Sequence, residues 1–210
     1  MQHGIVEQYP GGKDLVRTFI CIEIPQSIKN RLDDLRQTFQ PIGADVSWVR
    51  ASNIHLTLKF LGDVPHSRIE AIRSGVSKAC HEVEPFELTV SGTGGFPSLR
   101  NARVLWIGLP QLPDSLRQMQ KNIEDYLMQA GFPGDSRPFS LHLTVARVRS
   151  PRNLLPLTDA FSRQGFAPET FQARQVIIMQ SRLNPGGSVY TPLAIIPLSG
   201  IKAGTPERER

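Results

Sequence analysis

Eight short segments of the chain are rich in β-branched and apolar residues, and this composition predicts β-strands; in 53–62 and 139–148 apolar and polar residues also alternate with a period of two. The segments are RTFICIEI (17–24), VSWVR (46–50), NIHLTLKFLG (53–62), FELTVSG (86–92), RVLWIGL (103–109), FSLHLTVARV (139–148), QVIIMQSRL (175–183) and VYTPLAIIPL (189–198). The last two are expected to pair across the Asn-Pro-Gly-Gly turn at 184–187. The glycine-rich stretch around Gly94 and Gly95 is interpreted as another turn, because it lacks the lysine and the following helix of a phosphate-binding loop.

Three other segments carry apolar residues at every third or fourth position, which predicts amphipathic helices. They span residues 27–39, 67–81 and 112–131. Ser27 can cap the first helix and Gly131 can end the third. Strands that mostly adjoin one another, interspersed with helices, favour an α+β fold over a doubly wound parallel sheet.

One tetrapeptide pattern occurs twice, as His-Leu-Thr-Leu at 55–58 and as His-Leu-Thr-Val at 142–145. Because side chains alternate across a strand, His55 and Thr57 must project from one face, and so must His142 and Thr144. A single pair of this kind is typical of an ordinary half-exposed strand. Two copies indicate that each half of the chain supplies one imidazole and one hydroxyl to a shared groove.

Composition narrows the classes of partner. The chain of 210 residues is 40% hydrophobic and 20% charged, as expected of a soluble globular protein. Its net charge of +5 favours anionic partners, but the arginines are scattered, which suits a small phosphate substrate better than duplex DNA. We expect no membrane span, no signal peptide and a cytoplasmic location, with Cys21 and Cys80 as reduced thiols.

The two HxTx motifs resemble the signature of the two-histidine phosphoesterase superfamily. The segments RTFICIEIP, NIHLTLKFLGDV, VLWIGL, HLTVAR and SRLNPGGSVYTPL also follow the order of its RNA 2′,3′-cyclic phosphodiesterase branch, formerly called 2′–5′ RNA ligases. The resemblance covers residues 17–198 and departs at Leu141, where the family often has proline. It implies a bilobal, pseudo-twofold-symmetric fold, with two mostly antiparallel sheets lining a central cleft and helices packed outside. We expect one such domain over 15–199, between a flexible leader at 1–14 and a flexible tail at 200–210.

The resemblance also implies an activity, which is hydrolysis of RNA 2′,3′-cyclic phosphate ends to 2′-phosphomonoesters. In that scheme His55 donates a proton to the leaving 3′-oxygen, His142 activates water, and Thr57 and Thr144 bind the phosphate. Two imidazoles suit acid–base catalysis near neutral pH, and neither motif brings a carboxylate or cysteine at metal-ligand spacing. We therefore expect no cofactor and no metal. The expected substrates are cyclic-ended RNA or cyclic nucleotides, and the expected oligomeric state is a monomer.

For each of four further residues, the sequence allows two interpretations. Strict alternation places Arg147 on the face opposite His142, where it anchors the back of the sheet, unless a bulge turns it toward the phosphate. Phe19 and Trp106 either stack on a nucleobase or fill the interior of a sheet. Lys59 shares the predicted polar face of His55, where it either steers RNA or is simply solvated.

Two rival functions stay open at this stage. The same groove can catalyse the reverse reaction, in which a 2′,3′-cyclic end is joined to a 5′-hydroxyl. Alternatively, the chain is a non-catalytic RNA- or nucleotide-binding module, although binding alone does not require two titratable groups.

Overall fold

Two antiparallel sheets form the frame of the protein in the computed structural model, which describes residues 14–135, 138–185 and 187–200. Within these residues the strands are β1 (Leu15–Glu23), β2 (Val46–Trp48), β3 (His55–Pro65), β4 (Phe86–Phe96), β5 (Val104–Gly108), β6 (His142–Val148), β7 (Glu169–Ala173), β8 (Gln175–Asn184) and β9 (Gly187–Pro197). The eight predicted strands are all present. The predicted hairpin is also present, because β8 pairs with β9 antiparallel across the expected turn.

Four α-helices accompany the sheets in the described part of the chain: α1 (Gln26–Phe39), α2 (Ile69–Cys80), α3 (Asp114–Gln129) and α4 (Leu154–Gln164). The first three confirm the predicted helices to within three residues at each end. The fourth was missed, because Pro156 interrupts its apolar pattern. Proline is nevertheless tolerated in the first turn of a helix, where no intrahelical partner is lost.

Each half of the chain contributes two strands to the sheet of the other half. The strand orders are β3-β1-β8-β9 in the first sheet and β2-β6-β5-β4-β7 in the second. β3, β1 and β8 therefore correspond to β6, β5 and β4. Since β4 leaves the first half to join β5, and β8 leaves the second half to join β1, the two halves interlock. The α+β, two-sheet fold is thus confirmed.

The glycine-rich segment before Phe96 is a strand, so the prediction of a turn there is wrong. β4 continues to Phe96, with Gly94 opposite Trp106 and Gly95 opposite Leu105. A Cβ atom on Gly94 would lie 2.1 Å from Cζ2 of Trp106. The glycine is therefore required by the indole that lies flat against the sheet, and not by a turn.

Apolar side chains cover both faces of the first sheet, but very unequally. Ile20 and Leu56 belong to the main core, which also contains the inward faces of the helices. On the opposite face a small separate cluster contains Phe19, Cys21, Ile177 and Met179. This second face is the one that carries His55, as described below.

The predicted leader and tail fall outside the described residues, except for residues 14 and 200. Those assignments and the boundaries of the predicted domain stay predictions. No helix in the described ranges is both long and apolar enough to cross a membrane.

Filling the space above Gly94 should be costly. Gly94→Ala is expected to reduce the free energy of unfolding by about 1–3 kcal/mol, because the new methyl group must displace the Trp106 indole. Urea denaturation of both proteins measures the difference. Thr93→Ala is the control, since Thr93 precedes Gly94 on the opposite face of the same strand. Equal stability of Gly94→Ala and the parent protein would contradict this account.

Candidate active site

The two HxTx motifs lie on strands that contact each other from different sheets. β3 is an edge strand of the first sheet, and β6 is the second strand of the other sheet. His55, Thr57, His142 and Thr144 are each half-buried, while the residue between each histidine and threonine is fully buried. The structure therefore brings the strands that carry these four residues into contact. Their roles are not established by this proximity and are taken up below.

Each motif strand contains a bulge directly after its threonine. Against β1, the register of β3 passes from Thr57 opposite Cys21 to Lys59 opposite Ile20, which leaves Leu58 as the extra residue. Against β5, the register of β6 passes from Thr144 opposite Trp106 to Ala146 opposite Leu105, which leaves Val145 as the extra residue. A bulge puts two residues against one, so the inward and outward faces are exchanged beyond it.

The first bulge corrects the expected position of Lys59. This residue was placed beside His55 on the polar face, but it is 3% exposed and points into the core. The same alternation predicts Phe60 on the core face with Leu56, but Phe60 is 58% exposed. The ring of Phe60 lies 6.2 Å from the ring of Phe19, on the face that carries His55. Sequence reasoning missed Phe60, as it also missed Tyr190 and Phe96, whose rings contact the two histidines.

The second bulge decides the face of Arg147. Because Val145 is extra, Arg147 turns to the same face as His142 and Thr144, and it is exposed there. Its charge acts on His142, where it contributes to lowering the pKa of the imidazole. Of the two positions that the sequence left open for Arg147, the structure has the one that requires a bulge, on the face of His142. Phe60 and Arg147 occupy equivalent places in the two halves.

Aromatic rings surround His55. Its imidazole stacks on Phe19, with the ring centroids 4.5 Å apart, and the edge contact to Tyr190 is 5.3 Å. Phe19 is itself buried, so its ring supports the imidazole and offers little open surface to a base. Burial lowers the pKa of His55 to about 4, and the positive charge of Lys29 acts in the same direction, against a hydrogen bond with the Asn53 backbone.

His142 is also surrounded by aromatic rings, but they belong to other strands than those around His55. The ring of Phe96 meets it edge-on at 5.0 Å, and Trp106 lies 6.4 Å away. Burial lowers the pKa of His142 below its ordinary value, and Arg147 adds to that effect. The Nδ1 atom lies 2.9 Å from the carbonyl oxygen of Ser140, which opposes it. Because Nδ1–H donates to that carbonyl, Nε2 is the nitrogen with a free lone pair in the neutral ring.

The hairpin of β8 and β9 is fastened to the start of the first motif. The Asn53 side chain donates a hydrogen bond of 2.7 Å from Nδ2 to the carbonyl oxygen of Ser188. Tyr190 follows two residues later and contacts the rings of both His55 and Phe19. This hairpin therefore completes the aromatic surround of the first histidine.

Metal-ligand types do not gather at the site. Across the described ranges, no three side chains of His, Cys, Asp or Glu lie close enough to hold a metal ion together. The chemistry available from the neighbouring side chains is that of two imidazoles, two hydroxyls and one guanidinium. This set can move protons and bind an anion.

A known family model matches the chain twice, once in each half. The model of LigT-like phosphoesterases matches residues 22–106 and again residues 107–190. Each match contains one HxTx motif. The repeat in the family model thus coincides with the pseudo-twofold repeat of the fold.

Named relatives match nearly the whole chain. An RNA 2′,3′-cyclic phosphodiesterase of Methanothermobacter thermautotrophicus is 30% identical over 184 residues, which cover 87% of this chain and 99% of that protein. The protein of the same name from Thermotoga maritima is 28% identical over 179 residues, covering 85% of this chain and 93% of its own length.

Solved structures give the same result. Escherichia coli LigT in its apo form superimposes with a TM-score of 0.71 at 26% identity, covering 89% of this chain and 99% of LigT. LigT complexed with 3′-AMP superimposes with a TM-score of 0.71 at 25% identity, covering 88% of this chain and 99% of LigT. The kinship expected from the motifs is therefore confirmed, and the chain belongs to the LigT-like phosphoesterase family.

Proposed function

We propose that this protein hydrolyses RNA 2′,3′-cyclic phosphate ends to 2′-phosphomonoesters by metal-independent acid–base catalysis. The observation that carries the proposal is the meeting of two HxTx strands, one from each half, with the same burial pattern and the same bulge. The names of the relatives support the substrate class. The complex of LigT with 3′-AMP supports a nucleotide as the kind of ligand that this chain binds.

In the proposed reaction, water attacks phosphorus in line with the departing 3′-oxygen. Nε2 of His142, the ring nitrogen left available by the Nδ1–H contact, takes a proton from the water as the new P–O bond forms. His55 gives a proton to the 3′-oxygen as the old P–O bond breaks. The hydroxyl groups of Thr57 and Thr144 donate hydrogen bonds to the non-bridging oxygens, where negative charge increases.

The lowered pKa of His55 sets a condition on this mechanism. With a pKa of about 4, the ring is mostly neutral at pH 7 in the free protein. A donor must carry a proton, so His55 has to gain one when the substrate binds. The substrate phosphodiester is an anion, and an anion beside an imidazole raises its pKa. The proposed donor is thus charged by the substrate itself.

Phe60 and Arg147 make the two ends of the pseudo-symmetric cleft chemically different. A guanidinium group binds phosphate oxygens through paired N–H donors, whereas an exposed aromatic ring stacks on a base. We assign Arg147 to phosphate contact on the His142 side and Phe60 to base contact on the His55 side. Phe19, the earlier candidate for base contact, is assigned to holding the His55 ring, because it is buried against that ring.

Removing either imidazole should nearly abolish turnover. His55→Ala and His142→Ala are each expected to lower kcat for 2′,3′-cyclic AMP by about 10²–10⁴-fold, the usual contribution of one acid or base. His81→Ala is the control, because His81 is exposed at the end of α2. The assay contains excess EDTA, and chromatography distinguishes the 2′- from the 3′-phosphate.

Several outcomes would count against the proposal. Full activity in either histidine variant would exclude the paired mechanism, and loss of activity with EDTA would exclude a metal-independent one. Tight binding of the cyclic nucleotide without turnover by the parent protein would favour the non-catalytic module. Joined product from a cyclic-ended RNA and a 5′-hydroxyl RNA would favour the ligase.

The pH dependence of kcat/KM should reflect both lowered pKa values. This parameter reports the free protein, which must have one ring protonated and the other neutral, so it peaks midway between the two pKa values whichever histidine donates. Since His55 titrates at about 4 and His142 below 6.5, the maximum is expected on the acidic side of pH 6.5. Initial rates at low substrate concentration across pH 4–9 test this expectation, and a maximum above pH 7.5 would contradict it.

Replacing Arg147 and Phe60 one at a time should distinguish contact with the phosphate from contact with the base. Arg147→Met is expected to raise KM for every cyclic nucleotide by about tenfold, through loss of a charged hydrogen bond. Phe60→Ala should raise KM on a comparable scale for cyclic AMP, but not for a cyclic phosphate without a base, such as glycerol 1,2-cyclic phosphate. Met128→Ala, which removes an exposed apolar residue of α3, is the control. An equal effect of Phe60→Ala on both substrates would contradict the assignment.

A further inference from the structure

Lys59 is the only charged residue that is fully buried among the residues the structure describes. Its Nζ atom lies 2.5 Å from Oε2 of Glu124 on α3 and 3.0 Å from the carbonyl oxygen of Pro133. We call these three residues the Lys59 bridge. The bulge after Thr57 turns Lys59 toward these partners, two positions after a motif threonine.

The partners of Lys59 belong to the other half of the chain. Pro133 follows α3 and lies in the segment that enters β6, whose first residue is His142. A second cation, Arg68, holds the same segment, because it donates a hydrogen bond to the carbonyl oxygen of Ala130 and its guanidinium lies 4.6 Å from the centre of the Phe132 ring. Lys59 and Arg68, which follow the first HxTx motif in the chain, thus contact residues 130–133, which precede the second HxTx motif.

The need for a charge at this position is not explained by stability. Replacing a buried ion pair by apolar residues of similar volume is often neutral or stabilising, because the pair must be stripped of water. The equivalent position in the second half is Ala146, which is fully buried without a charge. A directional contact does something that an apolar side chain cannot, since it fixes the backbone of Pro133 relative to the strand of His55.

We propose that Lys59 is a positioning residue, whose bridge to Glu124 and Pro133 sets the separation of the His55 and His142 imidazoles. This inference rests on the proposed acid–base function of the two rings. In-line attack between them tolerates little displacement, and a shift of about 1 Å far from the chemistry can cost on the order of a hundredfold in rate. Lys59 itself does not contact the substrate, because its side chain is 1% exposed.

Two variants test the proposal. Lys59→Met keeps the length of the side chain and should lower kcat for 2′,3′-cyclic AMP by at least about tenfold, with KM little changed. It also leaves Glu124 without its charged partner, with only the Gln120 amide still donating to it, so instability is a competing explanation. The double variant Lys59→Met/Glu124→Met removes that charge and should recover thermal stability, while kcat stays low.

Arg31 provides a matched control. It makes the same pair of contacts, to Oε2 of Glu169 at 2.6 Å and to the carbonyl oxygen of Ala167 at 2.9 Å. These contacts join α1 to the segment around the start of β7 and involve neither motif strand. Arg31→Met is expected to leave kcat within about twofold of the parent protein.

A readout without turnover separates this inference from the proposed function. Imidazole signals in NMR spectra of the free protein should shift for His142 in Lys59→Met and in the double variant, but not in Arg31→Met. Full kcat in the double variant, or unchanged His142 signals in Lys59→Met, would overturn the positioning role. If the parent protein does not turn over cyclic nucleotides, the proposed function fails, and the NMR comparison alone decides whether Lys59 positions the second motif.

Discussion

The extra residue that follows each motif threonine determines which side chains face the cleft. In a strand the faces alternate strictly, so inserting Leu58 against β1 moves the next residues of β3, Lys59 and Phe60, to the other side. Inserting Val145 against β5 does the same for β6. Without the bulges, Phe60 and Arg147 would point away from the histidines. In the proposed function, the cleft would then lose both the guanidinium assigned to the phosphate and the aromatic ring assigned to the base.

The aromatic surroundings of the two histidines have a common electrostatic consequence. Phe19 and Tyr190 around His55, and Phe96 around His142, remove water from the rings, and a buried imidazole loses its proton more readily. Each pKa is therefore lowered in the free protein. A neutral ring is ready to accept a proton, whereas a donor has to be charged first. In the proposed reaction, the anionic substrate supplies the negative charge that restores the proton, so binding and activation of the site are coupled.

Alternation in the sequence was enough to place the histidines and threonines, because both pairs precede the bulges. It failed directly after them, where Lys59 and Phe60 exchanged their expected faces. A bulge changes the register against a neighbouring strand, and that neighbour lies some 35 residues earlier in the chain for β3. Gly94 was misassigned for a related reason, since the indole that requires it is on another strand. Period, caps and turns are local signals, but these two features are properties of strand pairing.

Pseudo-symmetry and catalysis make opposite demands on this cleft. Two identical halves would accept a cyclic phosphate in either orientation, and each histidine would then serve as acid or base with equal ease. The frame is close to symmetric, as the matching strand orders and bulges show. The differences are concentrated just beyond the bulges, where Phe60 corresponds to Arg147 and Lys59 corresponds to Ala146. The first difference gives the cleft an aromatic end and a cationic end. The second joins β3 to Glu124 and Pro133 through the Lys59 bridge, whereas the alanine side chain at 146 cannot make a polar contact of this kind.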